Sequence, residues 1–221
     1  MTSGSRRAWN GWPKYSPPAT HVRRNRMPIL KRFSKTTLFG AVLLGAGCAT
    51  SPPLERSSSG AGPSDYQVKY HYALEAMKQG QLENAEPQML ALTREHPRFA
   101  GPWFNLCIIY TKTGRFAEAE KSCQQALKQN GKMNQARNQL GVVYRKQGRF
   151  EDARRIYQMA LQQDPEYAQV HYNLGVLFDL YLQDNTLAIQ HYQRYLDLTG
   201  DKDKKVKRWI SQLNKELNKS R

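Results

Sequence analysis

Residues 134–167 read NQARNQLGVVYRKQGRFEDARRIYQMALQQDPEY, and this stretch decides how the rest of the chain is understood. Apolar and small residues at Leu140, Gly141 and Tyr144, then at Ala153, Tyr157 and Ala160, recur at helical spacing, so two short amphipathic helices are predicted. Gly148 stands between them, where a residue without Cβ can end a helix in a left-handed turn. Pro165 closes the unit.

Sliding the chain along itself by 34 residues reproduces the pattern in four windows: 66–99, 100–133, 134–167 and 168–202. The inter-helix glycine recurs as Gly80, Gly114 and Gly148, and the small residue of the second helix as Ala85, Ala119, Ala153 and Ala188. Unit ends fall at Pro97, Gly131, Pro165 and Thr199. The second window carries Trp103, Leu106 and Tyr110, but has Cys107 where the third has Gly141 and Cys123 where it has Tyr157. The fourth, with Leu174, Gly175, Phe178 and Tyr192, needs an insertion, placed at residues 182–185. In the first, Pro87 implies a kink or a late start in the second helix. Beyond residue 202, Val206, Trp209, Ile210, Leu213 and Leu217 form one apolar stripe, and residues 203–221 read as a capping helix.

The four windows resemble the tetratricopeptide repeat. The resemblance implies an all-α, right-handed α-solenoid of four helix pairs, here with a C-terminal capping helix, and a concave groove in which a partner protein lies. Carried onto this chain, the groove positions are Tyr70, Leu74, Met77, Phe104, Ile108, Asn138, Val142, Arg145, Tyr172 and Asp179. Leu74, Ile108 and Val142 are equally open to a core role. The groove is expected to be apolar with a basic middle, suited to an extended or helical segment with apolar anchors and a few acidic groups. Asn105 and Asn173 match the asparagine of a family clamp for C-terminal carboxylates. Gln135 and Gln139 stand where that clamp needs bases, so the asparagines are expected to pack helices instead. The resemblance also sets Cys107 and Cys123 facing each other within one repeat. Two outcomes are open, a disulfide in an oxidising compartment or two buried free thiols.

The N-terminal part reads differently. Residues 1–26 are rich in Arg and Pro, lack an apolar period, and are expected to be an over-called, unstructured extension. From Met27, Lys31, Arg32 and Lys35 precede the apolar run TTLFGAVLLGAG (36–47), too short to span a bilayer and patterned as a secretory signal over 27–47. Leu44-Gly45-Ala46-Gly47-Cys48 resembles the lipobox of bacterial lipoproteins, with the usual leucine displaced by one position. That resemblance implies an acylated Cys48 and, with Ala49 following, the periplasmic face of the outer membrane. A soluble periplasmic protein and an inner-membrane one are the alternatives. Residues 48–65, rich in Ser, Pro and Gly, read as a flexible tether.

Charge narrows the classes of partner. The formal net charge is +16, but the nine basic residues of positions 1–47 face no acid, and from Cys48 onward 25 basic against 18 acidic residues leave +7. Residues 201–221 hold eight Lys/Arg against three Asp/Glu, so the repeat body is nearly neutral and lacks the basic stripe that nucleic acid requires. The basic face of the final helix, including Lys204, Lys207 and Arg208, is either solvated or set against anionic lipid or an acidic partner. No nucleophile elbow, phosphate loop or metal-binding His pair is present in the sequence. The reading is therefore of a non-enzymatic scaffold with no cofactor, metal or small-molecule substrate. It binds protein in the cell envelope, with pilus assembly and cell-wall synthesis as settings; a membrane-surface structural protein and a cytosolic adaptor are the competing readings.

Overall fold

A computed structural model describes residues 64–219. The signal, Cys48 and most of the tether read from the sequence lie outside the described residues. Within them the chain forms nine α-helices: α1 (Asp65–Lys78), α2 (Leu82–Glu95), α3 (Ala100–Lys112), α4 (Phe116–Gln129), α5 (Asn134–Lys146), α6 (Phe150–Gln163), α7 (Ala168–Leu177), α8 (Asn185–Thr199) and α9 (Lys204–Lys219). Four antiparallel pairs stack in order, and α9 packs on α8. The fold is an all-α solenoid.

Each element ends for a local reason. Ser64 opens α1 with a capping box: its hydroxyl accepts from Gln67 N while Gln67 Oε1 accepts from Ser64 N at 2.7 Å. First helices stop at Gly80, Gly114 and Gly148, with φ of 77°, 79° and 78°, and the residue after each returns its N–H to a carbonyl five residues back. The fourth pair departs from this rule. Its extra residue is absorbed in a π-helical turn, Phe178–Leu182, and Gln183 takes the left-handed position with φ 55°. The insertion therefore begins upstream of residues 182–185, where the sequence placed it, overlapping them only at Leu182, and lies inside the helix rather than in the connection. Pro87 does not delay α2, which begins at Leu82 in register with Phe116 and Phe150. Pro87 is exposed and lies near the helix start, so the Glu83 carbonyl that loses its amide partner is on the wetter side.

The core is built from one repeated contact between the helices of a pair. At the position of Gly141, the four repeats hold Ala73, Cys107, Gly141 and Gly175; opposite stand Met89, Cys123, Tyr157 and Tyr192. A Cβ on Gly141 would lie 2.3 Å from Tyr157 Cε1, and one on Gly175 would lie 2.4 Å from Tyr192 Cδ1. Small faces large in three repeats, and in the second a disulfide fills the same gap.

Adjacent repeats are joined by two recurring devices. The residue three places into α3, α5 and α7 donates to the carbonyl six residues back: Trp103 Nε1 to Pro97 O (3.1 Å), Arg137 Nη2 to Gly131 O, and His171 Nε2 to Pro165 O (3.0 Å). On another edge, Arg115 stacks over Tyr110 at 4.3 Å and pairs with Glu86 of the preceding repeat. Arg149 does the same with Tyr144 (4.2 Å) and Glu120 (3.0 Å).

Candidate partner-binding groove

Across repeat boundaries α3 approaches α5 and α5 approaches α7 more extensively than any two second helices approach each other among the described residues. The row of first helices is therefore the tighter, inner side of the stack, and the groove residues of the sequence reading belong to it.

Polar bridges tie this row together. Asn105 Nδ2 donates to Tyr70 Oη (2.7 Å) and to Gly101 O (3.1 Å); Asn173 Nδ2 donates to Asn138 Oδ1 (2.8 Å). Between the second and third repeats Phe104 offers no acceptor, and Gln139 Nε2 donates instead to Thr111 Oγ1 (3.0 Å). Asn105 and Asn173 are both 6% exposed, so their amides join helices. Tyr70 and Asn138, read as contact residues, are already engaged by these bridges.

The other candidates divide by burial. Phe104 and Ile108 are half-buried in the middle of the row. Leu74 and Met77 are half-buried and pack against the core. Val142, 6% exposed, is core and not groove surface, because its face of α5 turns into the helix stack. Tyr172 is also corrected: at 9% exposed it is enclosed by Tyr195 (ring centroids 5.2 Å), Tyr192 and Trp209 of α9 (both 6.3 Å), so the final helix covers it. Burial pushes the Tyr172 hydroxyl up to about 12, with the Asp203 carboxylate adding to the shift. Arg145, 8% exposed, is buried too, and Asp179 accepts from Tyr192 Oη at 3.3 Å. Lys78, Lys112 and Lys146 at the ends of the first helices are exposed.

Cys107 and Cys123 are joined, with Cα atoms 5.2 Å apart and both residues fully buried. The sequence reading overlooked a contact of His171. Its Nε2 donates to Pro165 O, which leaves Nδ1 to accept from His191 Nδ1 at 3.0 Å. His191 stacks on Phe178 at 5.6 Å, and burial, then the His171 ring, holds it down to about 4. Among the described residues no cluster of three His, Cys, Asp or Glu is arranged to hold a metal, and no helix is long and apolar enough to cross a membrane.

Residues 72–134 match the model of the tetratricopeptide repeat, and residues 141–180 match a second model of the same repeat. Similar solved structures include a thermophilic tetratricopeptide protein of Thermus thermophilus (20% identity, 68% of this chain and 82% of that one, TM-score 0.59). Pseudomonas aeruginosa pilF is another (19%, 70% and 69%, TM-score 0.63), as is a tetratricopeptide protein of Parabacteroides merdae (24%, 70% and 60%, TM-score 0.59). No curated protein matches the sequence. Residues 72–134 and 141–180 are thus tetratricopeptide repeats, and the fold they build is a tetratricopeptide solenoid, an architecture whose members bind protein partners.

Proposed function

We propose that this chain is a non-enzymatic scaffold, held to a bacterial envelope membrane by lipid on Cys48, that receives a segment of another protein along its inner row of first helices. The observation that carries this reading is the middle of that row. Phe104 and Ile108 leave apolar surface accessible there, between the polar bridges on either side, while Lys112 and Lys146 flank it. An apolar anchor site rimmed by cations fits a segment with buried apolar side chains and acidic neighbours.

Two features support export. The lipobox-like run ends at Cys48, and a fully buried cystine takes the place of a packing pair, a substitution suited to an oxidising compartment. Pilus assembly and peptidoglycan synthesis are the two envelope settings of this proposal. Cys48→Ser tests the anchor. Expected are loss of the protein from the membrane fraction and loss of the acyl mass from its mature form; unchanged fractionation and mass would remove the anchor from this account.

A second reading has its own observation. Lys204, Lys207, Arg208 and Lys215 are all exposed on α9, while Val206 and Leu213 of the same helix are buried. That face could sit on anionic lipid. Changing Lys204, Lys207 and Arg208 to Gln spares the packing. Lost binding to phosphatidylglycerol vesicles with partner binding retained would favour this second reading.

A further inference from the structure

Arg145 is a buried cation without a counter-charge. It stands in the last turn of α5, is 8% exposed, and among the described residues pairs with no carboxylate. Its Nε has no hydrogen-bond partner, and neither has the fully buried hydroxyl of Tyr157 on α6. What the guanidinium meets instead are two tyrosines. One is Tyr181, through a 3.5 Å contact from Nη1 to Oη and a ring face 5.7 Å from Cζ. The other is Tyr157, whose hydroxyl lies close enough to feel its charge without a well-formed bond between them. Leaving a guanidinium Nε–H and a hydroxyl buried without hydrogen-bond partners is costly, so such an arrangement asks for an acceptor.

The neighbouring repeat shows what kind. At the position of Arg145 it has Asp179, and at the position of Tyr157 it has Tyr192, whose hydroxyl donates to the Asp179 carboxylate. The fourth repeat supplies its tyrosine with a carboxylate from within. The third has two donors, Arg145 Nε–H and Tyr157 O–H, and no carboxylate of its own. Above them lies Tyr181, 39% exposed, carried on the π-helical turn that only the fourth repeat possesses and set against Phe150 at 4.7 Å. The insertion thus roofs this one site with a tyrosine that borders solvent.

We propose that Arg145 and the Tyr157 hydroxyl, beneath Tyr181, form a receptor for one side-chain carboxylate of the bound segment. A glutamate is the better fit, because its longer stem reaches a guanidinium recessed under the tyrosine. The proposal rests on the inner row being the partner site, and it gives that site an acidic specificity. A charge-assisted bond from Arg145 and a bond from Tyr157 would satisfy both unpaired donors.

The test uses small carboxylates, so it does not depend on identifying the partner. The Nε–Hε resonance of Arg145 in the full chain, assigned by its loss in Arg145→Lys, is followed at constant ionic strength. Three probes are compared: N-acetylglutamate α-amide, N-acetylglutamine α-amide, and N-acetylleucine, which carries only a terminal carboxylate. The expected result is a saturable shift with the glutamate probe, at least about tenfold weaker with glutamine, and weaker with N-acetylleucine than with glutamate. Tyr157→Phe is expected to weaken the glutamate response about threefold or more. No saturable shift, an equal response to glutamine, or tighter binding of N-acetylleucine would each overturn the proposal. None of these outcomes bears on whether Phe104 and Ile108 touch a partner, which cross-linking reads separately.

Discussion

Gly141→Ala is the substitution whose consequence the structure specifies most closely. The added methyl would sit 2.3 Å from Tyr157 Cε1, 2.6 Å from Cζ and 2.7 Å from Cδ1. Carbon atoms rest about 3.5–4.0 Å apart, so the ring must retreat by about 1.2–1.7 Å. Tyr157 is fully buried, and its displacement spreads into the helix stack. Overpacking of this kind costs about 1–3 kcal/mol, and a clash with a whole ring face belongs at the upper end, about 3 kcal/mol. At about 2–4 °C per kcal/mol for a body of this size, Tm falls by about 6–12 °C. Gly148→Ala serves as the comparison. That glycine is left-handed, but a Cβ there meets nothing within 4 Å, so only about 1 kcal/mol is lost. The first repeat supplies the rescue, since it holds Ala73 opposite Met89. Gly141→Ala combined with Tyr157→Met should recover more than about 1 kcal/mol relative to the sum of the two single changes. Urea and thermal unfolding followed by circular dichroism read all four proteins. Gly141→Ala no worse than Gly148→Ala, or simple additivity of the pair, would refute the small-against-large account of the core.

Three further outcomes are expected. Replacing Cys107 and Cys123 by Ser removes a link between residues 16 apart in sequence, and should lower the unfolding free energy by about 3 kcal/mol, readable from the urea midpoint. Gln183→Gly relieves a non-glycine residue at φ 55° and should raise stability by about 0.5–1 kcal/mol. His191 is held down to about 4 by burial and by His171, so above the ordinary histidine range both folded and unfolded chains carry it neutral and it adds no pH dependence. As pH falls from about 6.5 towards about 4, the unfolded chain takes up a proton that the folded one resists, and stability declines by about 2 kcal/mol from this group. The bare shift is worth about 3 kcal/mol, which solvent screening of a partly exposed ring reduces. His191→Gln should flatten the urea-midpoint profile over that interval; an unchanged slope would remove the histidine from the explanation.

The 34-residue period was legible because each repeat must bury its stripe against the next, and that need fixes residue types at Leu106, Leu140 and Leu174 and at the helix-ending glycines. The exchange of Cys107 and Cys123 for the glycine and aromatic of other repeats was visible as well; the glycine approach to Tyr157 explains its geometry. The groove was less legible. Val142 and Tyr172 occupy family contact positions, yet packing within the helix stack buries the first and α9 covers the second. Such occlusion depends on tertiary partners that a periodic pattern does not specify. The insertion was misplaced because a π turn hides an extra residue inside a helix without any turn-forming residue to mark it. The Arg115–Glu86 and Arg149–Glu120 pairs do carry a sequence signal, each 29 residues apart and repeated at 34.

The central claim is that a partner lies along the inner row of first helices. Photo-crosslinking in living cells tests it directly, with benzoylphenylalanine placed at Phe104 or Ile108 on that row, and at Gln124 or Met159 on exposed faces of second helices. The account predicts an adduct of one defined mass at Phe104 and Ile108 and none at the two outward positions. Adducts confined to Gln124 and Met159, with none at Phe104 and Ile108, would contradict it.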